Sequence, residues 1–369
     1  MTQAARRDTS GAAPVREEDA FDVERVATWL RENITSTTGL DGNPEVRQFM
    51  GGASNLTYLL RYAGGPPSGG RDLILRRPPE GTKARGAHDM RREHDLQTAL
   101  APVFPLVPEM VAYCDDEGVI GSEFYVMERI EGTILRRDVP AGLGLDRAGV
   151  EALCHNAIDT LVALHDVDLA TSGLARLDRG EGYVRRQVEG WSSRYRRART
   201  PDVGDFEATM TWLDEHQPAD RPHVLVHNDF RFDNLVLDPA DPTRVVGVLD
   251  WELATVGDPL MDLGSALANW VPADDQAAFL EVRRQPTHTP GMLTRAEVVE
   301  RYATARGLEV TPGQWLFYDV FGAFRLAGIA QQIYYRFHHG QTSNPAYGEF
   351  RDVVRFLDLH CTALIARRP

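Results

Sequence analysis

The stretch His227-Asn228-Asp229-Phe230-Arg231-Phe232-Asp233-Asn234 constrains this chain more than any other, because of what frames it. Two short apolar runs follow, Leu235 to Leu237 and Val245 to Leu249, joined by the proline turn at 238–243, and then comes Asp250-Trp251-Glu252. Asp and Pro nucleate turns, so 223–250 reads as a β interruption. On both sides of it the apolar spacing is helical. Val150, Leu153, Cys154, Ala157, Ile158, Leu161 and Leu164 make a wide stripe ending at His165, and further helices are expected over 182–197, 206–216, 294–306, 314–337 and 347–366. Nearer the start, Val23, Val26, Ala27 and Leu30 mark one helix. The runs at 46–50, 56–62 and 73–75, separated by glycine-rich turns, then read as an antiparallel meander. A helix over 88–100 and strands at 110–113 and 123–130 around the turn Asp-Asp-Glu-Gly complete this part. Residues 1–20 mix Gly, Ala, Pro and both charges with no apolar period, and are expected to be a flexible arm.

Composition removes several functions. The 369 residues suffice for two lobes. With 54 acidic against 40 basic residues, the net charge of -14 opposes phosphate attraction, so neither nucleic acid nor an anionic membrane is expected as partner. The chain has one lysine, Lys83, followed by Ala84, so no GxxxxGK[ST] loop exists, and no serine sits in GxSxG. Cys114, Cys154 and Cys361 are scattered and odd in number, which fits reduced core thiols in a cytoplasmic protein. After Arg6 and Arg7 the chain turns acidic through Glu17, Glu18 and Asp19, unlike a secretory leader, and the apolar run 320–333 is short and broken by Arg325. His338-His339 lacks a third metal ligand at usable spacing.

The HxDxxxxN string has the spacing of a kinase catalytic loop. Phosphoryl transfer needs a carboxylate near the acceptor hydroxyl, and an amide plus a second carboxylate to hold magnesium against nucleotide phosphates. Asp229, Asn234 and Asp250 would supply these in order; alone, an Asp and an Asn capping a turn would look the same. The turn Gly51-Gly52-Ala53-Ser54-Asn55 would lay backbone N–H groups over ATP phosphates, although it also suits an ordinary hairpin. A kinase carries its nucleotide lysine on the third strand, where this chain has Arg76, a cation that can fork onto phosphate or carboxylate. Glu93 on the next helix is the expected partner of Arg76, against the plainer possibility of an exposed glutamate paired with Arg91 or Arg92. The segment 123–131 leads from one lobe into the other, where backbone around Met127, Glu128 and Ile130 would meet an adenine edge. Asp258 and Asp262 are expected to cap a helix or brace the catalytic loop, and His165 to be a satisfied core histidine.

With these strings the chain resembles the aminoglycoside phosphotransferase family, over nearly all of 22–365. LRRPP, GAHDMRRE, IGSEFYVMERIEG, HNDFRFDN and VLDWELATVGDPLMDL look most like the kinase-like domains that stand alone in bacteria or are fused to certain acyl-CoA dehydrogenases. The family commonly has Gly where this chain has Asn228. The resemblance implies an α+β, protein-kinase-like two-lobe fold, with a small antiparallel-sheet N-lobe at 21–130 for the nucleotide and a larger, mainly helical C-lobe at 131–369. It further implies ATP and Mg2+ as cofactors, His227 as loop support and a small-molecule hydroxyl as acceptor. Some members of that branch phosphorylate hydroxyacyl-CoA thioesters, which makes an acyl-CoA dehydrogenase an expected functional partner. From Arg185 to Arg199 the local charge reverses sign, and Arg194 and Arg197 with Trp191, together with Glu252, are candidate substrate contacts for a coenzyme A thioester. The plainer alternative is a solvated helix face balancing nearby acids. An aminoglycoside acceptor and a regulatory pseudokinase remain as rivals.

Overall fold

The computed structural model describes residues 11–49, 55–63, 70–79, 89–342 and 344–367; the glycine turn 51–54 and Lys83 lie outside them. The chain divides into two compact units, Met1–Ile130 and Glu131–Pro369. In the first, β1 (Ala12–Pro14), α1 (Val23–Asn33), β2 (Glu45–Phe49), β3 (Leu56–Tyr62), β4 (Arg71–Arg77), α2 (Met90–Leu100), β5 (Met110–Cys114), α3 (Glu117–Ile120) and β6 (Phe124–Glu128) follow in order. The six strands form one antiparallel sheet, β1-β2-β3-β4-β6-β5. Strand alternation decides what each side chain of β4 faces. Leu73 and Leu75 join the cluster under Val26 and Leu30 of α1, whereas Ile74 joins Leu59, Met90, Tyr125 and Met127 on the opposite face. Both faces being covered, the strand reads as an unbroken apolar run, each such side chain contributing roughly 1.5–3 kcal/mol.

Two expectations are corrected here. The arm does not extend to residue 20: β1 pairs with β2 in the register Ala12↔Phe49, and the Asp19 carbonyl accepts from the Tyr58 hydroxyl and from Arg77 Nη2, each at 2.8 Å. An edge strand docks through backbone bonds, which need no apolar period, so composition did not reveal it. The turn at 115–118 opens one turn of helix, α3, where Asp116 accepts from Gly118 N at 2.8 Å.

The second unit contains β7 (Thr133–Ile134), α4 (Arg147–His165), α5 (Tyr183–Ala198), α6 (Glu207–Glu215), β8 (Val224–Val226), β9 (Leu235–Leu237), β10 (Val245–Val248), β11 (Thr255–Gly257), α7 (Pro259–Leu267), α8 (Ala277–Val282), α9 (Arg295–Ala305), α10 (Pro312–His338) and α11 (Phe350–Ala366). The hairpin β9–β10 is joined by β7, and β8 pairs with β11. Strands β7, β8 and β11, two or three residues each, carry too little sequence to show a period. The 27-residue α10 starts from a Thr311/Gln314 capping box with Pro312 in its first turn. Helix α7 meets α10 closely: a Cβ on Gly264 would stand 2.6 Å from the Tyr318 carbonyl, and one on Gly322 would stand 2.3 Å from the Gly264 carbonyl. All three cysteines are buried and free. Among the described residues no helix is long and apolar enough to cross a membrane.

Candidate active site

In the first unit the side chains converge on Glu93, which is 2% exposed. Its Oε1 accepts from Asn55 Nδ2 and its Oε2 from the Tyr125 hydroxyl, both at 2.9 Å, and Arg76 Nη1 lies 3.6 Å from Oε2. Arg76 reaches Glu93 because it shares the β4 face of Ile74, whereas Arg77, one residue on, points to the other face and bonds the Tyr58 hydroxyl and the Asp19 carbonyl. Glu93 is thus neither exposed nor paired with Arg91, which bonds Asp115 instead. Burial, helped by the charge of Glu93 and opposed by that of Arg76, raises the Tyr125 phenol above its ordinary range. Asn55 is buried and its side-chain amide donates to Glu93, so the side chain braces that carboxylate, whereas the expectation for this turn concerned its backbone N–H groups. Gly51, Gly52 and Ser54 lie outside the described residues.

Met127 pairs with Ile74 within the sheet, and Ile130 closes the first unit. Glu128 donates its N–H to the Glu109 carbonyl at 2.9 Å and its carboxylate takes the Arg71 guanidinium, so that N–H is used within the sheet.

In the second unit the loop after β8 is built around Asp262, which is fully buried on the first turn of α7. Its carboxylate accepts from His227 N and Asn228 N at 2.7 Å each and lies 3.1 Å from His165 Nε2. Burial works against the charge of Asp262, but the hydrogen bond and charge of His165, with His227, hold the carboxyl below its usual range. Asp258 caps the same helix through Leu260 N and Met261 N, and there burial prevails and raises the carboxyl. His165 also meets the Tyr302 hydroxyl at 2.6 Å, a satisfied core histidine. His227 places Nε2 at 3.0 Å from the Leu249 carbonyl, and its Nδ1 accepts from Asp229 N at 3.2 Å, which assigns the proton to Nε2.

This scaffold brings Asp229 and Asn234 together: Asn234 Nδ2 donates to the Asp229 carbonyl at 2.8 Å and to Asp229 Oδ2 at 3.0 Å. Leu249 N–H bonds the Asn234 carbonyl at 2.8 Å, so the hairpin returns Asp250 to the loop. Asn228 and Asp250 hold left-handed φ of 64° and 68°, costly for residues other than glycine and typical of functional turns. Asparagine tolerates this conformation better than most side chains, which accounts for its standing where glycine was expected.

Two residues outside the expected set sit against the loop. Arg231 Nε lies 3.2 Å from Asp229 Oδ1 and its Nη2 lies 3.2 Å from Asp233 Oδ2. Arg325 of α10 donates to the Asn228 carbonyl at 2.6 Å. Its signal in the sequence is a single cation inside an apolar helical run. On α5, Arg194 lies 4.7 Å from the ring centroid of Trp191, and Arg325 of α10 lies 5.1 Å from the same centroid. Arg197 is exposed and bonds Ser193, whereas Arg196 forks onto Glu207, so part of the arginine run does balance nearby acid. Glu252 is half-buried in the turn directly after Asp250.

The second unit thus carries an oriented Asp–Asn loop ahead of a returning carboxylate, and the first a buried Arg–Glu pair in an antiparallel sheet, the residue types that kinase-like phosphotransferases employ. The chain belongs to the phosphotransferase enzyme family (APH), whose pattern matches residues 45–298. It is 32% identical over 354 residues to acyl-CoA dehydrogenase family member 11 of Homo sapiens, covering 94% of this chain but 43% of that relative. A Ralstonia eutropha structure, provisionally called an aminoglycoside phosphotransferase, is 30% identical with a TM-score of 0.77, covering 95% of this chain and all of that one. Choline kinase from Cryptosporidium parvum, 12% identical with a TM-score of 0.61 over 94% of this chain and 96% of its own, shares the fold. The fold is protein-kinase-like, a sheet-bearing N-lobe and a helical C-lobe.

Proposed function

We propose that the chain is an ATP- and magnesium-dependent O-phosphotransferase acting on an anionic hydroxy compound, a hydroxyacyl-CoA thioester or a related hydroxy acid. The observation that carries this reading is the Asp229–Asn234 pair, because one amide there fixes the carboxylate on a loop to which the hairpin returns a second acid, Asp250. Magnesium takes hard oxygen donors and keeps waters and phosphate oxygens, so two protein ligands suffice. Asn234 uses both amide hydrogens on Asp229, which leaves Oδ1 as its donor oxygen, and the hairpin supplies Asp250 beside it. The donor set fits; no cluster of three or more His, Cys, Asp or Glu exists among the described residues, and none is needed. When bound, the ion neutralises charge developing on the nucleotide phosphates.

In this reading Asp229 orients the acceptor hydroxyl and takes its proton as the oxygen bonds the γ-phosphorus, while the bond to the bridging oxygen breaks and ADP leaves. Arg76, held by Glu93, supplies a fixed cation for phosphate charge. Arg194 and Arg197 with Trp191, and Glu252 next to Asp250, serve the acceptor. The cationic α5 favours an anion over polycationic aminoglycosides. The dehydrogenase name of the human relative supports a working link to acyl-CoA chemistry. ADP release against hydroxyacyl-CoA and aminoglycoside panels tests this. Preferential turnover of the thioesters is expected; preference for aminoglycosides overturns the substrate class, and ATP binding without ADP release supports the pseudokinase, which the arginine at position 76 favours.

A further inference from the structure

Arg325 lies in the middle of α10, 5% exposed, within an apolar run. A guanidinium removed from water costs several kcal/mol unless its charge and donors are met. Among the described residues no carboxylate forms an ion pair with it, although it feels the charges of Asp229 and Asp262. What it touches is the Asn228 carbonyl, at 2.6 Å across 97 positions of sequence, and the ring of Trp191. Room for that ring is left by Gly328, where a Cβ would stand 3.1 Å from it.

Asn228 is a non-glycine residue in the left-handed region, and three of its polar groups are held. Its N–H goes to Asp262, its side-chain amide donates to the Leu253 carbonyl at 3.0 Å, and its carbonyl accepts from Arg325. Two of these restraints come from 250–262, directly after the hairpin. The third comes only from α10. The residue that follows is Asp229. We propose that Arg325 is a positioning residue for phosphoryl transfer, holding the left-handed turn at Asn228 from which Asp229 is presented to the acceptor. The proposal rests on the reading of Asp229 given above. A planar fork placed over an aromatic face and donating to a carbonyl is what arginine supplies and lysine supplies incompletely.

A buried cation retained for geometry carries a distinctive consequence, since an apolar side chain of similar length need not destabilise the fold. The test measures ADP release with Mg-ATP and hydroxybutyryl-CoA, ATP affinity by calorimetry and the thermal midpoint for R325M, R325K and D229A. For R325M the midpoint and the ATP affinity should stay near wild type while kcat falls about 100-fold. R325K, able to donate to the carbonyl from a single point, should fall between the two. Wild-type kcat in R325M, or a lysine variant no better than methionine, overturns the proposal. Should R325M not fold, R325Q, which is too short to reach the carbonyl, replaces it under the same criteria. Full turnover in D229A removes the role of Asp229 itself, whereas inactive D229A beside fully active R325M removes only the clamp.

Discussion

Two neighbouring arginines on β4 show how little a residue's identity says without its parity. Arg76 and Arg77 have the same chemistry, yet one faces Glu93 and the other a tyrosine and a carbonyl on the opposite face. If Arg76 serves the nucleotide phosphates as proposed, Arg76→Ala should lower kcat by about 100-fold or more, since a pre-positioned cation would be lost. Arg76→Lys should be intermediate, keeping the charge but not the fork. Equal steady-state rates and ATP affinities for wild type, Lys and Ala would remove Arg76 from the site. If Asp250 holds magnesium as proposed, Asp250→Asn, which puts a neutral amide in place of the carboxylate, should weaken magnesium-dependent ATP binding, and an unchanged calorimetric magnesium titration would exclude Asp250. Asp229, Asn234 and Asp250 were legible because their chemistry is tied to their spacing along a single loop and hairpin. Arg231 and Arg325 were not. The first looked like one more charge in a charged string, and the second reaches the loop from 97 residues away.

At the scale of elements, the contact between α7 and α10 is what lets Asp262 and Arg325 reach the same turn. Gly322→Ala would drive a methyl into the Gly264 carbonyl, and it should cost about 1–3 kcal/mol in denaturant unfolding, with kcat reduced beyond the loss of folded protein. Asp262 joins α7, α4 and the catalytic loop through three hydrogen bonds. Its folded carboxyl sits below the unfolded value, so it contributes stability that is present above about pH 4 and is lost as pH falls through the folded value. Asp258, raised by burial, pulls the opposite way over the adjacent range. Asp262→Asn should cost roughly 3 kcal/mol or more at neutral pH and flatten the loss of stability between about pH 5 and pH 3. Unfolding curves of variant and wild type that stay parallel over that range would show that Asp262 does not carry the acid sensitivity.

For the whole molecule, charge and site point in opposite directions. A net charge of -14 repels an anion at long range, so under the proposed function capture of the acceptor would fall to the local arginines of α5. Arg194→Gln should raise KM for a coenzyme A thioester several-fold at unchanged kcat, and salt should weaken binding less in the variant than in wild type. Identical KM values would return the arginine run to a solvated helix face. The sequence by itself determined the order of a small sheet followed by helices and the spacing of the Asp–Asn–Asp set, because both depend on local periodicity and turn chemistry. Tertiary structure alone decided that residues 12–14 join the sheet and that Asp19 bonds to its strands, that Asn55 serves Glu93, and that Arg325 meets the loop of Asp229. Edge pairing, buried hydrogen bonds and helix crossings join residues far apart in the chain, and no local pattern of residue types encodes which of them will meet.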